Sequence, residues 1–253
     1  MLYVTGDTHG GFQRFAPAYF PQQAQMTRED YVIICGDFGG LWDGSEEENT
    51  ALDWMEECPF TTLFVDGNHE NYAMLNALPV ENWNGGKIHR VRPHILHLMR
   101  GQVYEFGGLT WFAMGGARSH DIEAGILDPA DPYFERKYKI LERQNARFRV
   151  LGMSWWQEEL PNDAEYTEAR GNLDKAGWCV DCVLTHCMPT SIALQMNRHN
   201  ESDRLTDFLE EVRRKCRFAY WFGGHYHRNQ IIDTRYVIEI CDPSVPEDLD
   251  GPS

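Results

Sequence analysis

The chain opens with Leu2-Tyr3-Val4-Thr5-Gly6-Asp7-Thr8-His9-Gly10, an apolar run that ends in a short polar cluster. The same arrangement returns four times, and each polar cluster again follows an apolar, β-branched or aromatic run. These further clusters are Gly36-Asp37-Phe38-Gly39-Gly40, Gly67-Asn68-His69-Glu70, Thr185-His186 and Gly224-His225-Tyr226-His227. Such runs predict buried strands, and open α/β sheets bind their ligands at the carboxyl ends of strands. We therefore expect the five clusters to converge on one crevice.

The first half of the chain alternates between predicted strands and helices. Residues 12–26 form a mixed stretch that predicts a helix interrupted by Pro17 and Pro21. A second helix is predicted from Glu46 to Cys58, because its acidic first turn suits the positive end of a helix dipole and Pro59 ends the pattern. The alternation indicates βαβ units and a largely parallel sheet.

The second half of the chain has a different pattern of predicted strands and helices. Residues 87–114 are rich in β-forming residues and are bounded or interrupted by Gly-Gly pairs, which predicts a hairpin or meander. Residues 118–177 predict a mostly helical insertion. A helix from Asp203 to Cys216, with Ser202 as its N-cap, follows the fourth cluster. A final hairpin is predicted from Gln230 to Ile240.

The length and charge of the chain limit its organisation and its partners. With 253 residues, we predict a single domain, 1–241, followed by an acidic and flexible tail, 242–253. The formal net charge of −16 argues against a nucleic-acid partner, because phosphate contacts dominate the affinity for nucleic acid. A phosphorylated small molecule or nucleotide stays compatible, since bound dications are usually the largest charges in their own site.

The apolar and cysteine patterns predict a cytoplasmic protein. No apolar run reaches the roughly 18 residues of a membrane span, and no signal peptide is evident. The seven cysteines are odd in number and irregularly spaced, which indicates a reduced chain. Cys179 and Cys182 leave open a redox pair or half of a zinc site. We favour buried structural thiols, because residues three apart in a strand point to opposite faces.

The five clusters are rich in metal-binding side chains. Together they contain two aspartates, one asparagine and five histidines. Mixed Asp, Asn and His ligation suits Mn²⁺, Fe²⁺, Zn²⁺ or Co²⁺ and does not select one of them. A carboxylate can bridge two ions, and Asp37 is the natural candidate for that role. The adjacent glycines let the backbone turn sharply and approach a ligand closely.

The ordered clusters GDTHG, GDFGG, GNHE, TH and GHYH resemble the calcineurin-like metallophosphoesterase superfamily. The resemblance extends from Asp7 to His227 and includes all five blocks in order. A single block is weak evidence, but five blocks in order, each after a predicted strand, are specific. The resemblance implies an α/β fold, a four-layer αββα sandwich with the metal site on loops at the strand ends.

The resemblance also implies which residues of the clusters hold metal and which one is catalytic. One metal ion would be held by Asp7, His9, Asp37 and His227. The other would be held by Asp37, Asn68, His186 and His225. His69 would be the catalytic histidine, and Glu70 would orient His69 or a ligand from behind.

The implied activity is hydrolysis of a phosphate mono- or diester by two divalent ions. Such a pair lowers the pKa of a bridging water, and the resulting hydroxide attacks phosphorus in line. His69 would protonate the leaving oxygen or stabilise its charge. The sequence does not distinguish a monoester from a diester.

The second block departs from one branch of the superfamily. Phosphoprotein phosphatases continue this block as GDxxDRG, where the further Asp orients the catalytic histidine and the Arg grips phosphate. Gly40 and Leu41 stand at those positions here, and Asp43 is a possible replacement. A phosphoprotein phosphatase is therefore a disfavoured alternative, as is a nuclease given the net charge. A non-catalytic scaffold is disfavoured because it has no reason to keep every ligand and His69.

Residues outside the clusters offer weaker candidates. Arg118, after a predicted strand, could clamp phosphate, although an ordinary surface salt bridge is an equal alternative, and His120 could also face the substrate. The helical spacing of Arg136, Lys139, Arg143 and Arg147 predicts one basic stripe, which we interpret as a solvated helix face. For Trp155 and Trp156, packing against the core is favoured over stacking on a substrate ring.

Overall fold

The structure, a computed structural model, describes residues 1–238. Its strands are β1 (Leu2–Thr5), β2 (Tyr31–Cys35), β3 (Thr61–Val65), β4 (Val80–Trp83), β5 (Gly86–Arg92), β6 (Ile95–Leu98), β7 (Gln102–Phe106), β8 (Leu109–Met114), β9 (Ile126–Leu127), β10 (Arg149–Val150), β11 (Cys182–Thr185), β12 (Tyr220–Gly223), β13 (Gln230–Ile232) and β14 (Tyr236–Ile238). Its α-helices are α1 (Glu46–Glu57), α2 (Tyr72–Ala77), α3 (Phe134–Arg143), α4 (Asp163–Lys175), α5 (Thr190–Met196) and α6 (Arg204–Lys215).

Two six-stranded sheets form the centre of the fold. The first has the order β1-β2-β3-β6-β5-β4 and the second has the order β13-β14-β12-β11-β8-β7. In the first sheet β1, β2, β3 and β6 run parallel, and in the second β8, β11, β12 and β14 run parallel. The outer strands of both sheets pair antiparallel. Within residues 1–238, β9 and β10 form a separate two-stranded sheet.

Three apolar layers show how the sheets and helices stack. The middle layer combines side chains from both sheets, such as Ile33 of β2 and Leu184 of β11. One outer layer packs the first sheet against α1 and α2, and the other packs the second sheet against α4, α5 and α6. The predicted four-layer αββα sandwich is therefore confirmed.

These layers form because successive side chains along each strand point to opposite faces of the sheet. In β2, Ile33 belongs to the layer between the sheets, whereas Val32 and Ile34 belong to the layer under the helices. Because successive strand residues point to opposite faces, a strand buried on both sides is apolar throughout. This explains why the runs before the clusters contain so few polar residues.

The first half of the chain confirms one predicted helix and corrects another. Helix α1 is present, and the Ser45 side chain accepts a hydrogen bond from the Glu48 N–H at its start. Residues 12–26 do not form a continuous helix and contain two 3₁₀ helices, Phe12–Phe15 and Pro21–Gln25. The prolines remove backbone donors, which limits helix formation to single short turns.

The second half contains three further differences from prediction. Helix α6 begins after Asp203, not Ser202, and the Asp203 side chain caps Leu205 and Thr206. The segment 118–177 is less helical than expected, because α3 and α4 account for less than half of it. Cys182 is buried as predicted, whereas Cys179 is exposed.

The final hairpin is confirmed over β13 and β14 as far as Ile238. The predicted tail 242–253 and the end of the predicted hairpin lie outside the described residues. A single domain over 1–241 stays a prediction. None of the helices within residues 1–238 has the length and apolar content that a membrane crossing requires.

A chain of buried polar groups crosses the first sheet behind the third cluster. Nδ1 of His89 lies 3.1 Å from Nδ1 of His97, and Nε2 of His97 lies 3.1 Å from Oδ1 of Asp66. The Arg100 guanidinium holds the other oxygen of Asp66, with Nε 2.7 Å from Oδ2. Burial acts against this carboxylate, but Arg100 and His97 keep the pKa of Asp66 well below its usual range.

His89 makes the stability of the fold depend on pH. Burial, and then the charge of His97, lower the pKa of His89 to about 4, whereas an unfolded histidine titrates near 6.5. Between these values the unfolded chain binds a proton that the folded chain does not bind. The free energy of unfolding should therefore fall as the pH decreases from about 6.5 to about 4, by up to about 2 kcal/mol at pH 5.

Thermal melting of the native protein and His89→Gln at pH 7 and pH 5 measures this effect. The native protein should lose more of its Tm between the two pH values than the variant loses. Equal losses in the two proteins would show that His89 does not carry the effect.

Candidate metal centre

The five polar clusters lie at the carboxyl ends of strands, as predicted, three in the first sheet and two in the second. Asp7 follows β1, Asp37 follows β2 and Asn68 follows β3, whereas His186 and the pair His225 and His227 follow β11 and β12. Backbone hydrogen bonds connect the loops within each sheet. The His9 N–H donates to the Asp37 carbonyl over 2.7 Å, and the Gly224 N–H donates to the His186 carbonyl over 2.9 Å.

Two glycines allow the ligand loops to approach this closely. A Cβ atom on Gly67 would lie 2.1 Å from Oδ1 of Asp37. A Cβ atom on Gly224 would lie 2.2 Å from Oδ1 of Asp7. Each carboxylate therefore occupies the space that a side chain at the glycine of the neighbouring cluster would need. This steric conflict explains why both positions are glycine.

Asp37 lies at the centre of the cluster. Its backbone has a positive φ of 48°, and its carboxylate is buried. Oδ1 accepts a hydrogen bond from the His69 N–H at 2.7 Å and lies 3.4 Å from Nε2 of His186. Oδ2 lies 3.8 Å from Nε2 of His9. The two oxygens thus face two different histidines.

The Asp7 carboxylate has one oxygen without a hydrogen bond. Oδ1 accepts from the His225 N–H at 3.0 Å. Oδ2 is buried and makes no hydrogen bond with any residue of the described chain, although it lies 3.3 Å from Nε2 of His227 and 3.9 Å from Nε2 of His9. An orphaned, buried carboxylate oxygen is costly, and a cation at this point would remove the cost.

Possible ligand atoms are grouped closely enough to hold ions. One atom each from Asp7, His9 and His227 lie within 4.8 Å of one another, and so do atoms from Asp7, Asp37 and His186. The groups share Asp7 and contain oxygen and imidazole donors, which fit borderline dications.

His186 is held with one ring nitrogen towards the cluster. Its Nδ1 lies 2.6 Å from the Cys35 carbonyl, which assigns the proton to Nδ1. Its Nε2 then faces Oδ1 of Asn68 at 3.3 Å. Burial opposes a charged ring, but Asp37 and Asp7 outweigh it and raise the pKa of His186 to about 10. The negative charges of Asp37 and Asp7, which favour a proton on His186, also favour a metal cation at this point.

His225 lies beside His186 and has the opposite shift. The two ring centroids are 5.0 Å apart. Burial, and then the charges of His186 and His120, lower the pKa of His225 to about 3. The ring is therefore neutral at neutral pH, which is the form that binds metals.

His69 lies at the edge of the cluster, and Glu70 lies behind it. The centroids of the His69 and His9 rings are 5.3 Å apart. Burial lowers the pKa of His69, and the charge of Asp37 partly offsets this effect. Glu70 accepts hydrogen bonds from the Phe38 N–H at 2.7 Å and the Gly39 N–H at 3.3 Å. Its contacts therefore support the loop that carries Asp37.

Arg118 forms a surface ion pair, the alternative that the sequence left open, and Asp43 makes a contact that the sequence did not indicate. Arg118 is exposed, and its Nη1 lies 3.4 Å from Oε2 of Glu201. Its phosphate-binding role stays a prediction. Asp43 is exposed and accepts a hydrogen bond from the Ser45 N–H at 2.9 Å, next to the start of α1. Through that contact Asp43 stabilises the turn that precedes α1.

The loop after β8 places two residues next to the cluster: Ser119, which sequence reasoning missed, and His120, which it considered as a substrate contact. Oγ of Ser119 lies 3.4 Å from Nδ2 of Asn68 and donates to Glu159 over 2.6 Å. The His120 ring lies 4.9 Å from the His225 ring. The only available signal was the position of this loop after a strand of the second sheet. Serine and glutamate in isolation indicate no particular chemistry.

The basic and aromatic candidates of the insertion have structural explanations. Helix α3, which carries Arg136, Lys139 and Arg143, buries none of its residues, as a solvated helix does. Trp156 is buried and packs edge-to-face against Trp42 with centroids 5.6 Å apart. Packing is therefore the observed role of Trp156.

Comparisons with known proteins agree with this architecture. Residues 1–229 match the calcineurin-like phosphoesterase family. The lariat debranching enzyme of Schizosaccharomyces pombe is 26% identical over 221 residues, which cover 81% of this chain and 44% of that protein. Lariat debranching enzyme A of Xenopus laevis is 21% identical over 255 residues, which cover 89% of this chain and 42% of that protein. The lariat debranching enzyme of Drosophila melanogaster is 24% identical, with 89% and 42% covered.

This chain therefore spans less than half the length of the curated relatives it matches. No solved structure matches it. The family match covers nearly all of the described residues and includes all five clusters. The chain belongs to the calcineurin-like phosphoesterase family.

Proposed function

We propose that the chain is a binuclear metal-dependent phosphodiesterase that acts on a nucleotide or another small phosphodiester in the cytoplasm. The observation that carries the proposal is the buried Oδ2 of Asp7, which accepts no hydrogen bond and faces the imidazoles of His9 and His227 at 3.9 Å and 3.3 Å. A purely structural cluster would leave this oxygen at an energetic cost. In a site that holds cations, a bound cation would compensate this oxygen and remove the cost.

The donor set divides between two ions. The first would be held by Asp7, His9, Asp37 and His227, and the second by Asp37, Asn68, His186 and His225. The two oxygens of Asp37 face His186 and His9, which supports a shared ligand between the two groups. Manganese, iron, zinc and cobalt all suit these donors.

The chain's own residues would divide the remaining work. Two divalent ions, when bound, would supply an activated water and neutralise charge on the phosphoryl group. His69 would protonate the leaving oxygen, since it lies at the edge of the cluster and belongs to neither group of metal ligands. The hydrogen bond from its N–H to Asp37 fixes its backbone relative to the ligands. Glu70 would keep the Asp37 loop in place.

The preference for a diester follows from the relatives. Proteins named lariat debranching enzymes match most of this chain. The clusters do not extend to GDxxDRG, which disfavours a phosphoprotein phosphatase. Retention of a complete donor set disfavours a non-catalytic scaffold.

Hydrolysis of two chromogenic esters by metal-stripped protein tests the proposal. Mn²⁺, Zn²⁺, Co²⁺ or Mg²⁺ is returned separately, with p-nitrophenyl phosphate or bis-p-nitrophenyl phosphate as substrate. We expect metal-dependent turnover that is faster with the diester. Turnover that persists without metal, or no turnover by protein shown to bind two ions, would contradict the proposal.

A branched nucleic acid is a second candidate substrate, which the names of the relatives favour. The net charge of −16 opposes it. A branched RNA oligonucleotide and a linear RNA of the same composition, offered to the metal-loaded protein, distinguish the two. Cleavage confined to the branch would favour RNA, whereas cleavage of neither would leave the small diester as the substrate.

The His69→Ala substitution tests the proposed acid. We expect kcat to fall by roughly 10²- to 10⁴-fold with unchanged metal content. The loss should be largest for substrates with poor leaving groups, because these need the proton most. If the variant instead loses metal, His69 is a ligand and its role as the acid is wrong.

A further inference from the structure

A cavity of about 660 Å³ lies between α2, the start of α4 and the strands β5 and β6. Its wall includes Tyr72 and Leu75 of α2, His89 of β5, and Glu165 and Tyr166 of α4. In the described part of the chain, none of the seven candidate metal ligands lines this cavity. Its volume is typical of a pocket for a small organic molecule. The cavity is therefore a candidate binding site outside the metal centre.

The buried polar chain of the first sheet determines which nitrogen of His89 carries the proton. Asp66, which is held by Arg100, can only accept a hydrogen bond, so His97 donates to it from Nε2. In the neutral ring Nδ1 of His97 is then an acceptor, and Nδ1 of His89 donates to it over 3.1 Å. Burial lowers the pKa of His89 to about 4, so this ring is neutral at neutral pH. Its Nε2 is therefore a hydrogen-bond acceptor.

This acceptor has no partner among residues 1–238. The recorded hydrogen bond of the His89 ring is made by Nδ1, and Nε2 points to a different side of the ring. His89 is 3% exposed and belongs to the cavity wall. Tyr166, which is 2% exposed, also lines the cavity, and its hydroxyl makes no hydrogen bond in the described chain. Buried polar atoms that lack a partner beside a cavity are suited to a ligand that supplies one.

The charged side chains of the wall favour a positively charged ligand. The wall contains two arginines, and each forms an ion pair with an aspartate that also lines the cavity. These pairs are Arg100 with Asp66 and Arg204 with Asp163. Three glutamates add to them, namely Glu158, Glu159 and Glu165. The wall therefore has more negative than positive charges, which attracts a cation and repels an anion.

We propose that this cavity binds a small organic cation, an amine with a short hydrocarbon chain, whose N–H donates to Nε2 of His89. The glutamates of the wall balance its charge. Its hydrocarbon part contacts the apolar side chains of the wall, which are Leu75, Met99, Trp155, Leu160 and Pro161. This binding does not depend on hydrolysis of an ester.

Calorimetric titration of the protein with putrescine, a four-carbon diamine, tests the proposal. Butanediol is the matched neutral probe, because hydroxyls replace its two ammonium groups, and inorganic phosphate is the anionic probe. We expect a single putrescine site per chain and no measurable binding of either control. Metal-loaded and metal-stripped protein should bind putrescine equally. No binding of putrescine, equal binding of butanediol or phosphate, or binding that requires the metal would overturn the proposal.

Variants of the wall separate this cavity from the acidic surface. His89→Phe removes the acceptor and should weaken putrescine binding about 10- to 100-fold, as expected for a hydrogen bond to a charged group. Glu158→Gln should weaken it about 2- to 5-fold, because Glu158 is exposed and screened by solvent. Glu105→Gln is the control, since Glu105 is exposed on β7 and is not part of the wall. Equal affinity of all three variants would show adsorption to the surface and overturn the proposal.

A variant at the mouth of the cavity keeps the test valid if His89→Phe does not fold. Asn76 is exposed and lines the cavity from α2, so Asn76→Trp should obstruct it without a change in the core. We expect this variant to lose putrescine binding. Native affinity in folded Asn76→Trp would contradict binding in this cavity.

The ring nitrogens of His89 report the proposed contact directly. In protein with ¹⁵N-labelled histidine, putrescine should shift the Nε2 signal of His89, because that nitrogen then accepts a hydrogen bond. The missing signal in His89→Phe identifies the resonance, and butanediol should leave it unchanged. Putrescine binding without a shift of this signal would overturn the contact with His89.

Discussion

Asp37→Asn should abolish hydrolysis and weaken both metal sites together. The carboxylate faces His186 with one oxygen and His9 with the other, so its loss removes a ligand from both groups. An amide keeps the shape but supplies a single, uncharged oxygen to the ions. We expect kcat/KM to fall by at least about 10³-fold, or about 4 kcal/mol in transition-state stabilisation.

Metal analysis after dialysis checks this prediction beside the rate. The native protein should retain two ions per chain, and Asp37→Asn should retain markedly less of both. Asp131→Asn provides the control, because its carboxylate pairs with Lys137 in the insertion. Loss of one ion only, with the other at full occupancy, would show that Asp37 does not bridge.

Arg100→Met should destabilise the fold by about 3–5 kcal/mol, because removal of one partner leaves a buried charge uncompensated. Arg100 and Asp66 are both buried. The guanidinium also donates to the Tyr72 hydroxyl at 2.8 Å and to the Glu158 carbonyl at 2.8 Å. Its loss therefore affects the loop before Asn68 as well as the segment that precedes α4.

Denaturant unfolding measures the change in free energy. Arg170→Met is the control, since Arg170 donates two hydrogen bonds to one carboxylate oxygen of Glu211 at the surface, and exposed pairs contribute less than about 1 kcal/mol. The double variant Asp66→Asn with Arg100→Met should be more stable than Arg100→Met alone, because it leaves no unpaired carboxylate. Equal stability of Arg100→Met and Arg170→Met would contradict a structural role for the buried pair.

The grouping of the candidate ligands was predictable because these residues carry local signals. Asp7, Asp37 and Asn68 each follow an apolar strand and stand beside glycine. Close packing explains this association, as a side chain on Gly67 would collide with Asp37. The chemistry and the steric need therefore appear together in a few consecutive residues, and the order of the blocks indicates the topology.

The ion pair between Asp121 and Arg149 was not predictable, because the two residues are distant in sequence and ordinary in type. Asp121 and Arg149 are separated by α3 and meet only when β9 and β10 pair. Neither has a glycine-rich neighbourhood that marks a ligand loop. Arg118 was the more visible arginine after a strand, yet its ion pair is with exposed Glu201.

Helix boundaries were predictable where the local signals agreed. Helix α1 was predicted from its acidic first turn and from Pro59, and in the structure Ser45 caps its start. At α6, Ser202 and Asp203 are both good N-caps, and the structure uses Asp203 because Thr206 can complete the reciprocal hydrogen bonds of a capping box. Residues 12–26 lacked any cap, and local propensity was too weak to decide their conformation.

Anomalous scattering from crystals grown with Mn²⁺ tests the two-metal site most directly. We predict two peaks about 3.5–4 Å apart, with Asp37 between them, Asp7, His9 and His227 around one, and Asn68, His186 and His225 around the other. A single peak, or peaks away from these seven side chains, in protein that hydrolyses the diester would contradict the binuclear assignment.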